Sequence, residues 1–395
     1  MFHTKDTPCF PVVIDAISRR ADFQHLDCIP PESAWIGNLK RSVPVTGTRR
    51  TTRAAEGTLR AGALVLVVII AAAASAPEVA RAAKNCYPTK YASIDVVITK
   101  ESEVLLPVTI KGHEAYMVLE TAVGPSALYR DAARDFNLRA MPLPASSRVM
   151  AGSQPIAEYV NIRELTIKDY KFFDTYLLLR DTPVLRSDPT AARPIVGIAG
   201  MSLFDKVDLE LNLAKSNVSL YSQKHCRGNV VTWSKDYHSL AMTRSAYVGN
   251  EIFTMALDGQ NLDTTLSTAS TFSGLHSDAA KTLFGLDEHS PDVVTESDLG
   301  GKNPTHYLTM DLSSPGFTMQ NVRVQLRGEA PVGCKFGTAP ANGAAGYSGC
   351  EGIVPLTLGL SVLKHLHLYL ATRDNILYFT SSNSGTVELP MPVQQ

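Results

Sequence analysis

The strongest constraint on the fold of this chain is that part of it is written twice. Shifting the sequence by 147 positions (267 − 120) lays Ile252–Phe284 on Leu105–Asn137, without a gap as far as Ala133/Ala280. Nine of these 33 aligned positions are identical: Gly112/Gly259, Leu119/Leu266, Thr121/Thr268, Ala122/Ala269, Ser126/Ser273, Leu128/Leu275, Asp131/Asp278, Ala132/Ala279 and Ala133/Ala280. A period this long exceeds any solenoid repeat several-fold and means two copies of a domain-sized unit. In the first copy an alternating stretch (Leu105, Val108, Ile110) predicts a strand, Lys111-Gly112 a turn, and Ala115–Leu119 a second strand. That strand ends in the corner Glu120-Thr121-Ala122, followed by Ser126-Ala127-Leu128 and a short amphipathic helix over Arg130–Leu138.

Strand, glycine turn, strand, a three-residue corner and a small helix resemble the aspartic proteases of the retropepsin and pepsin type, in both copies. The resemblance covers roughly residues 95–382 and includes a second family hallmark, an apolar strand leading through glycine into a short helix. Here that hallmark reads Ile198-Ala199-Gly200-Met201-Ser202-Leu203-Phe204, and in the second copy Gly359-Leu360-Ser361-Val362-Leu363. It implies an all-β fold of two homologous lobes related by a pseudo-twofold axis, with short helices, in a monomer that is its own pseudo-dimer. It also implies that Thr121 and Thr268 cross-bond the lobes beneath the site, and that Gly200 and Gly359 let backbones approach closely.

The corner itself departs from the family. Glu120 and Ser267 stand where the two aspartates belong, and Ala122 and Ala269 replace the glycine after threonine. In the family, two carboxylates about 3 Å apart share a proton, so that one is base and the other acid. Ser267 can hold neither role, since a hydroxyl near neutral pH neither ionises nor delivers a proton readily. Glu120 carries its carboxyl one methylene further out, and a misplacement of about 1 Å can cost on the order of a hundredfold. With no close partner, its ionisation should depend on burial alone. The hydroxyl three residues on, which supports the carboxylate in the family, is Val123 in the first copy and is kept as Ser270 in the second.

The remaining chain narrows the setting. A net charge of −1, with 45% apolar and 19% charged residues, gives no case for nucleic acid as a partner. Residues 1–60 show little periodicity and read as an unstructured leader or an over-extended start. Ala61–Pro77 are 17 uncharged residues directly after Arg60, and residues 61–83 read as a signal peptide or, if uncleaved, an N-terminal membrane anchor. The expected location is therefore periplasmic or secreted. Two lobes are expected at 84–230 and 231–395. Four cysteines follow the leader: Cys86 and Cys226 bracket the first copy, while Cys334 and Cys350 flank a Gly- and Ala-rich loop. Four cysteines allow three pairings, of which these two are suggested by position. No metal or cofactor is expected. His365 and His367, alternating with leucines, suggest a solvated or cross-strand pair.

Three functions remain open on the sequence. The first is an exported, catalytically degenerate protease-fold protein that binds an extended peptide or protein segment between its lobes. The second is a divergent peptidase in which Glu120 activates water, and the third a structural envelope protein without a ligand.

Overall fold

The computed structural model describes residues 86–144, 149–151, 154–181, 193–246, 248–297, 304–330, 334–336, 347–348 and 353–382, and from Tyr87 on these belong to one compact unit. The leader, the Ala61–Pro77 run and Cys350 lie outside the described residues.

The alternating stretches form strands where expected. Val104–Ile110 pairs antiparallel with His113–Leu119, and Glu251–Leu257 with Gln260–Leu266. At the first turn Lys111 and Gly112 have φ of 49° and 83°, and at the second Asp258 and Gly259 have 43° and 79°. Two left-handed residues make the hairpin turn whose twist matches its strands, and glycine enters this region without steric cost. A longer hairpin, Glu158–Ile167 with Tyr170–Arg180, recurs as Pro304–Ser314 with Phe317–Arg327. In both copies the inward residues are apolar and buried, among them Ile162, Leu177, Leu312 and Val324.

The duplication runs further than sequence identity reveals. Strands beginning at Val104 and Glu251, and strands ending at Arg180 and Arg327, keep one offset (251 − 104 = 327 − 180 = 147). The closing strands Val207–Asn212 and Asn217–Ser222 recur as Leu366–Ala371 and Ile376–Ser381 with another (366 − 207 = 381 − 222 = 159). The 12-residue difference (159 − 147) falls between Arg327 and Leu356, the stretch that holds Cys334. Over that interval the second lobe is therefore longer by a net 12 residues.

Each lobe threads one strand through its centre. Ile195–Ala199 lies parallel to His113–Leu119 and antiparallel to Ala127–Tyr129, and Leu356–Leu358 does the same between Gln260–Leu266 and Ser273–His276. The lobes share a central six-strand stretch in the order Lys90–Asp95, Asn217–Ser222, Val207–Asn212, Leu366–Ala371, Ile376–Ser381, His238–Arg244. Its middle register pairs Glu210 with Tyr369, Leu209 with Leu370 and Leu211 with Leu368. Since 369 − 210 = 159, Glu210 faces its own counterpart, and the pseudo-twofold axis passes through that pair. This is an all-β fold of two homologous lobes of the acid-protease type, with a contiguous apolar core running through both.

The face of the central sheet turned away from that core is covered by the segment linking the lobes. Val230, Val231 and Trp233 pack on Tyr221, Tyr369, Ile376 and Tyr378. This corrects the solvated reading of the two histidines, while His367 makes its contact across the paired strands. His365 precedes the strand, and His367 is buried, stacked on Trp233 at 3.8 Å between ring centres, with Nε2 2.8 Å from Glu210 Oε1. Alternation with leucine looked like a solvated face because the covering segment is distant in sequence. A second buried pair lies beside it, with His225 Nε2 2.6 Å from Asp208 Oδ2. Burial raises the Asp208 carboxyl above its ordinary range, and the bond to His225 acts against that shift. Cys86 and Cys226 form a disulfide, and Cys334 is also disulfide-bonded.

Candidate functional site

The two corners meet at the junction of the lobes. Each is held at its base by the threaded strand: Glu120 N–H donates to Ala199 O at 3.0 Å, and Ser267 N–H to Leu358 O at 2.8 Å. The strand then turns away through glycine. A Cβ on Gly200 would lie 2.7 Å from Gly124 O, and one on Gly359 2.4 Å from Phe272 O, so neither position admits a side chain without moving backbone. Ser126 and Ser273 tie these turns down, Gly200 N–H donating to Ser126 Oγ at 3.0 Å and Gly359 N–H to Ser273 Oγ at 3.2 Å.

Beneath the corners the threonines exchange hydrogen bonds. Thr121 Oγ1 donates to Leu266 O at 2.8 Å, and Thr268 Oγ1 to Leu119 O at 2.6 Å. Thr121 N–H also donates to Thr268 Oγ1 at 3.3 Å. Both side chains are buried, and each hydroxyl donates to a backbone carbonyl of the opposite lobe.

Above them Glu120 and Ser267 are in direct contact. Ser267 Oγ lies 3.0 Å and 3.2 Å from the two Glu120 carboxyl oxygens, and Glu120 Oε1 accepts the Ala122 N–H at 2.9 Å. The extra methylene lets the glutamate curl back onto its own loop. The expectation that Glu120 stands without a close partner is thereby corrected, for it is tied to its own backbone and to the opposing hydroxyl. Ser267 is buried, at 2% exposure, while Glu120, Ala122, Ala269 and Ser270 are partly exposed.

One residue of the site went unread in the sequence. Ser267 Oγ lies 2.9 Å from Ser270 Oγ, and Ser270 Oγ accepts from a terminal nitrogen of Arg327 at 3.2 Å. Arg327 ends the long hairpin and pairs with His276 of the corner strand. Burial lowers its guanidinium from the ordinary value, and the negative charge of Glu120 acts against that shift. Its place depends on Gly274, where a Cβ would lie 2.0 Å from Arg327 Nε. The first lobe has Ala127, Val123 and Arg180 at the equivalent positions, so its arginine has neither the gap nor the serine. The signal in the sequence was this arginine pair at the 147 offset, together with Gly274 opposite Ala127.

Ser267 presents a hydroxyl to the Glu120 carboxylate, which also accepts the Ala122 amide. What the corners do retain is a buried cross-lobe lock under a polar, partly exposed rim bearing one carboxylate and one guanidinium.

No family model matches the sequence, and no curated protein is similar to it at a meaningful level. Among solved structures the chain is similar to an aspartic proteinase from Irpex lacteus, with 11% identity, a TM-score of 0.44, and coverage of 75% of this chain and 99% of that one. It is also similar to basic 7S globulin from soybean (12%, 0.42, 74% and 95%) and to edgp (10%, 0.40, 74% and 95%).

Proposed function

We propose that this is an exported protein that keeps the two-lobe protease frame to hold an extended peptide or protein segment between its lobes, without hydrolysing it. The observation that carries this reading is the 3.0 Å contact between Ser267 Oγ and Glu120. Hydrolysis needs one group to take a proton from water and a partner to deliver one to the leaving amine. A hydroxyl bonded to the carboxylate supplies no partner acid, while the threonine lock preserves the frame around it. An extended segment would dock by backbone pairing with exposed strand edges, side chains alternating between pockets.

Export follows from the apolar run Ala61–Pro77 behind a basic flank, and a Cys86–Cys226 disulfide suits an oxidising compartment. No helix among the described residues is long and apolar enough to cross a membrane. The test is to incubate the full chain with a randomised decapeptide pool at acid and neutral pH, then weigh the retained and free peptides by mass spectrometry. Retention of intact peptides supports the reading. Fragments whose formation stops in Glu120→Gln would establish the peptidase instead, and neither retention nor cleavage would leave a structural role.

A further inference from the structure

The long hairpin of the second lobe presents two arginines on one face, and they are not equivalent. Along Phe317–Arg327 the residues Val322, Val324 and Leu326 are buried, so Arg323, Gln325 and Arg327 line the opposite face. Arg323 is engaged. Its guanidinium lies 3.7 Å from the centre of the Tyr307 ring and 5.0 Å from that of Phe272, and it pairs with Glu296. Arg327 has no such carboxylate in contact among the described residues, and the one hydrogen bond of its side chain there is the one to Ser270. A guanidinium carries five N–H donors in a planar fork. Laid over Gly274 and partly withdrawn from water, it is a charge with most of its donors unmatched by those residues.

We propose that Arg327, with Gly274 as its cradle and Ser270 as its anchor, forms a subsite for a carboxylate carried by the bound segment. This deepens the peptide-binding reading and rests on it for the biological ligand. A carboxylate matches the fork by two parallel charge-assisted hydrogen bonds, an interaction an amide of the same shape does not reproduce. Phe272, which follows the corner, and Tyr307 beside it offer apolar surface for the stem of an acidic side chain. Glu120 opposes an incoming carboxylate by charge, with the Ser267 and Ser270 hydroxyls lying between it and the guanidinium. Removing that charge should therefore strengthen the subsite. A role for Arg327 limited to neutralising Glu120 implies no such gain.

Two sources share this chemistry, an acidic side chain and a chain terminus, and the probes separate them. They are N-acetylglutamate α-methylamide, N-acetylglutamine α-methylamide and N-acetylglutamine with a free α-carboxylate. Each is titrated into the uniformly 15N-labelled full chain while following the Arg327 Nε–H resonance, assigned by its loss in Arg327→Gln. At least one carboxylate probe should move that resonance and bind about tenfold more tightly than the neutral one. Arg327→Gln should bring all three to the level of the neutral probe, Arg327→Lys should recover part of the difference, and Glu120→Gln should enlarge it. Gly274→Ala should abolish it with the far-ultraviolet circular dichroism unchanged.

Equal responses to all three probes, or a carboxylate preference that survives in Arg327→Gln, would overturn the subsite. The decapeptide experiment reads the underlying proposal separately. Peptides retained with no preference for acidic residues would remove the subsite alone. Carboxylate probes that bind where no peptide is retained would keep the subsite and remove the peptide.

Discussion

The two lobes descend from one design, and their corners have diverged in opposite directions. In the first, the loop 120–126 carries the carboxylate of Glu120, has Val123 where the second lobe has Ser270, and fills the adjacent strand position with Ala127. In the second, the loop 267–273 has Ser267 at the corner, carries a hydroxyl at Ser270, and leaves a gap at Gly274 that a guanidinium occupies. One half contributes a negative charge and the other a positive one, where two acids would make a symmetric pair. Beneath this asymmetry the threonine lock is unaltered in both halves. The contrast teaches that the frame and the chemistry above it are separable, because the threonine lock runs from hydroxyls to backbone carbonyls and does not involve the residues at the rim.

Breaking the lock should have the largest effect, and unequally. Thr268→Val removes the donor to Leu119 O and the acceptor of Thr121 N–H, so about 3 kcal/mol should be lost in urea denaturation. Thr121→Val removes only the donor to Leu266 O and should cost about 2 kcal/mol. Equal losses would mean that the second bond to Thr268 contributes nothing.

Placing an acid at position 267 should make the site pH-sensitive. In Ser267→Asp two carboxylates would share the space now bridged at 3.0 Å, and their repulsion raises the affinity of the pair for a proton above that of the unfolded chain. The folded state then binds more protons than the unfolded one, so stability falls as pH rises. The variant should match the wild type well below pH 4 and be about 2 kcal/mol less stable at neutral pH. A difference independent of pH would indicate steric damage only.

A smaller effect sits at the first strand of each repeat, where buried Val104 in one lobe corresponds to Glu251 in the other (251 − 104 = 147). Burial raises the Glu251 carboxyl above its ordinary range, the Arg244 charge counters this and the Asp205 charge adds to it. Its Oε2 has no hydrogen-bond partner among the described residues. A raised carboxyl is protonated more readily in the folded state, so the wild type loses stability as pH climbs through that shifted range. Glu251→Gln should remove this loss and gain about 1 kcal/mol at neutral pH, with the gain vanishing in acid below about pH 4. Thermal melts across pH measure it.

The fold was legible because its evidence is local and doubled. Alternation marks the strands, Lys111-Gly112 and Asp258-Gly259 mark the turns, and one offset relates them. The two corner residues were legible for the same reason. Arg327 was not, since it follows Ser270 by 57 positions and reaches the site only through the parallel pairing of Phe317–Arg327 with the corner strand. Nor was the buried pair of His367 and Glu210, whose covering residue Trp233 arrives from the segment between the lobes. The strands and turns can be read from a sequence once the repeat is found, whereas a contact that depends on which strands pair, as Arg327 does, needs the register as well. Contacts made by a segment folding over a sheet leave no such trace.

The most direct measurement is the fate of a peptide held by the wild-type chain. Decapeptides recovered from the retained fraction across acid and neutral pH should have the mass they entered with, and Glu120→Gln should leave that result unchanged. Accumulating fragments that disappear in Glu120→Gln would contradict the account, because the glutamate tied to Ser267 would then be activating water.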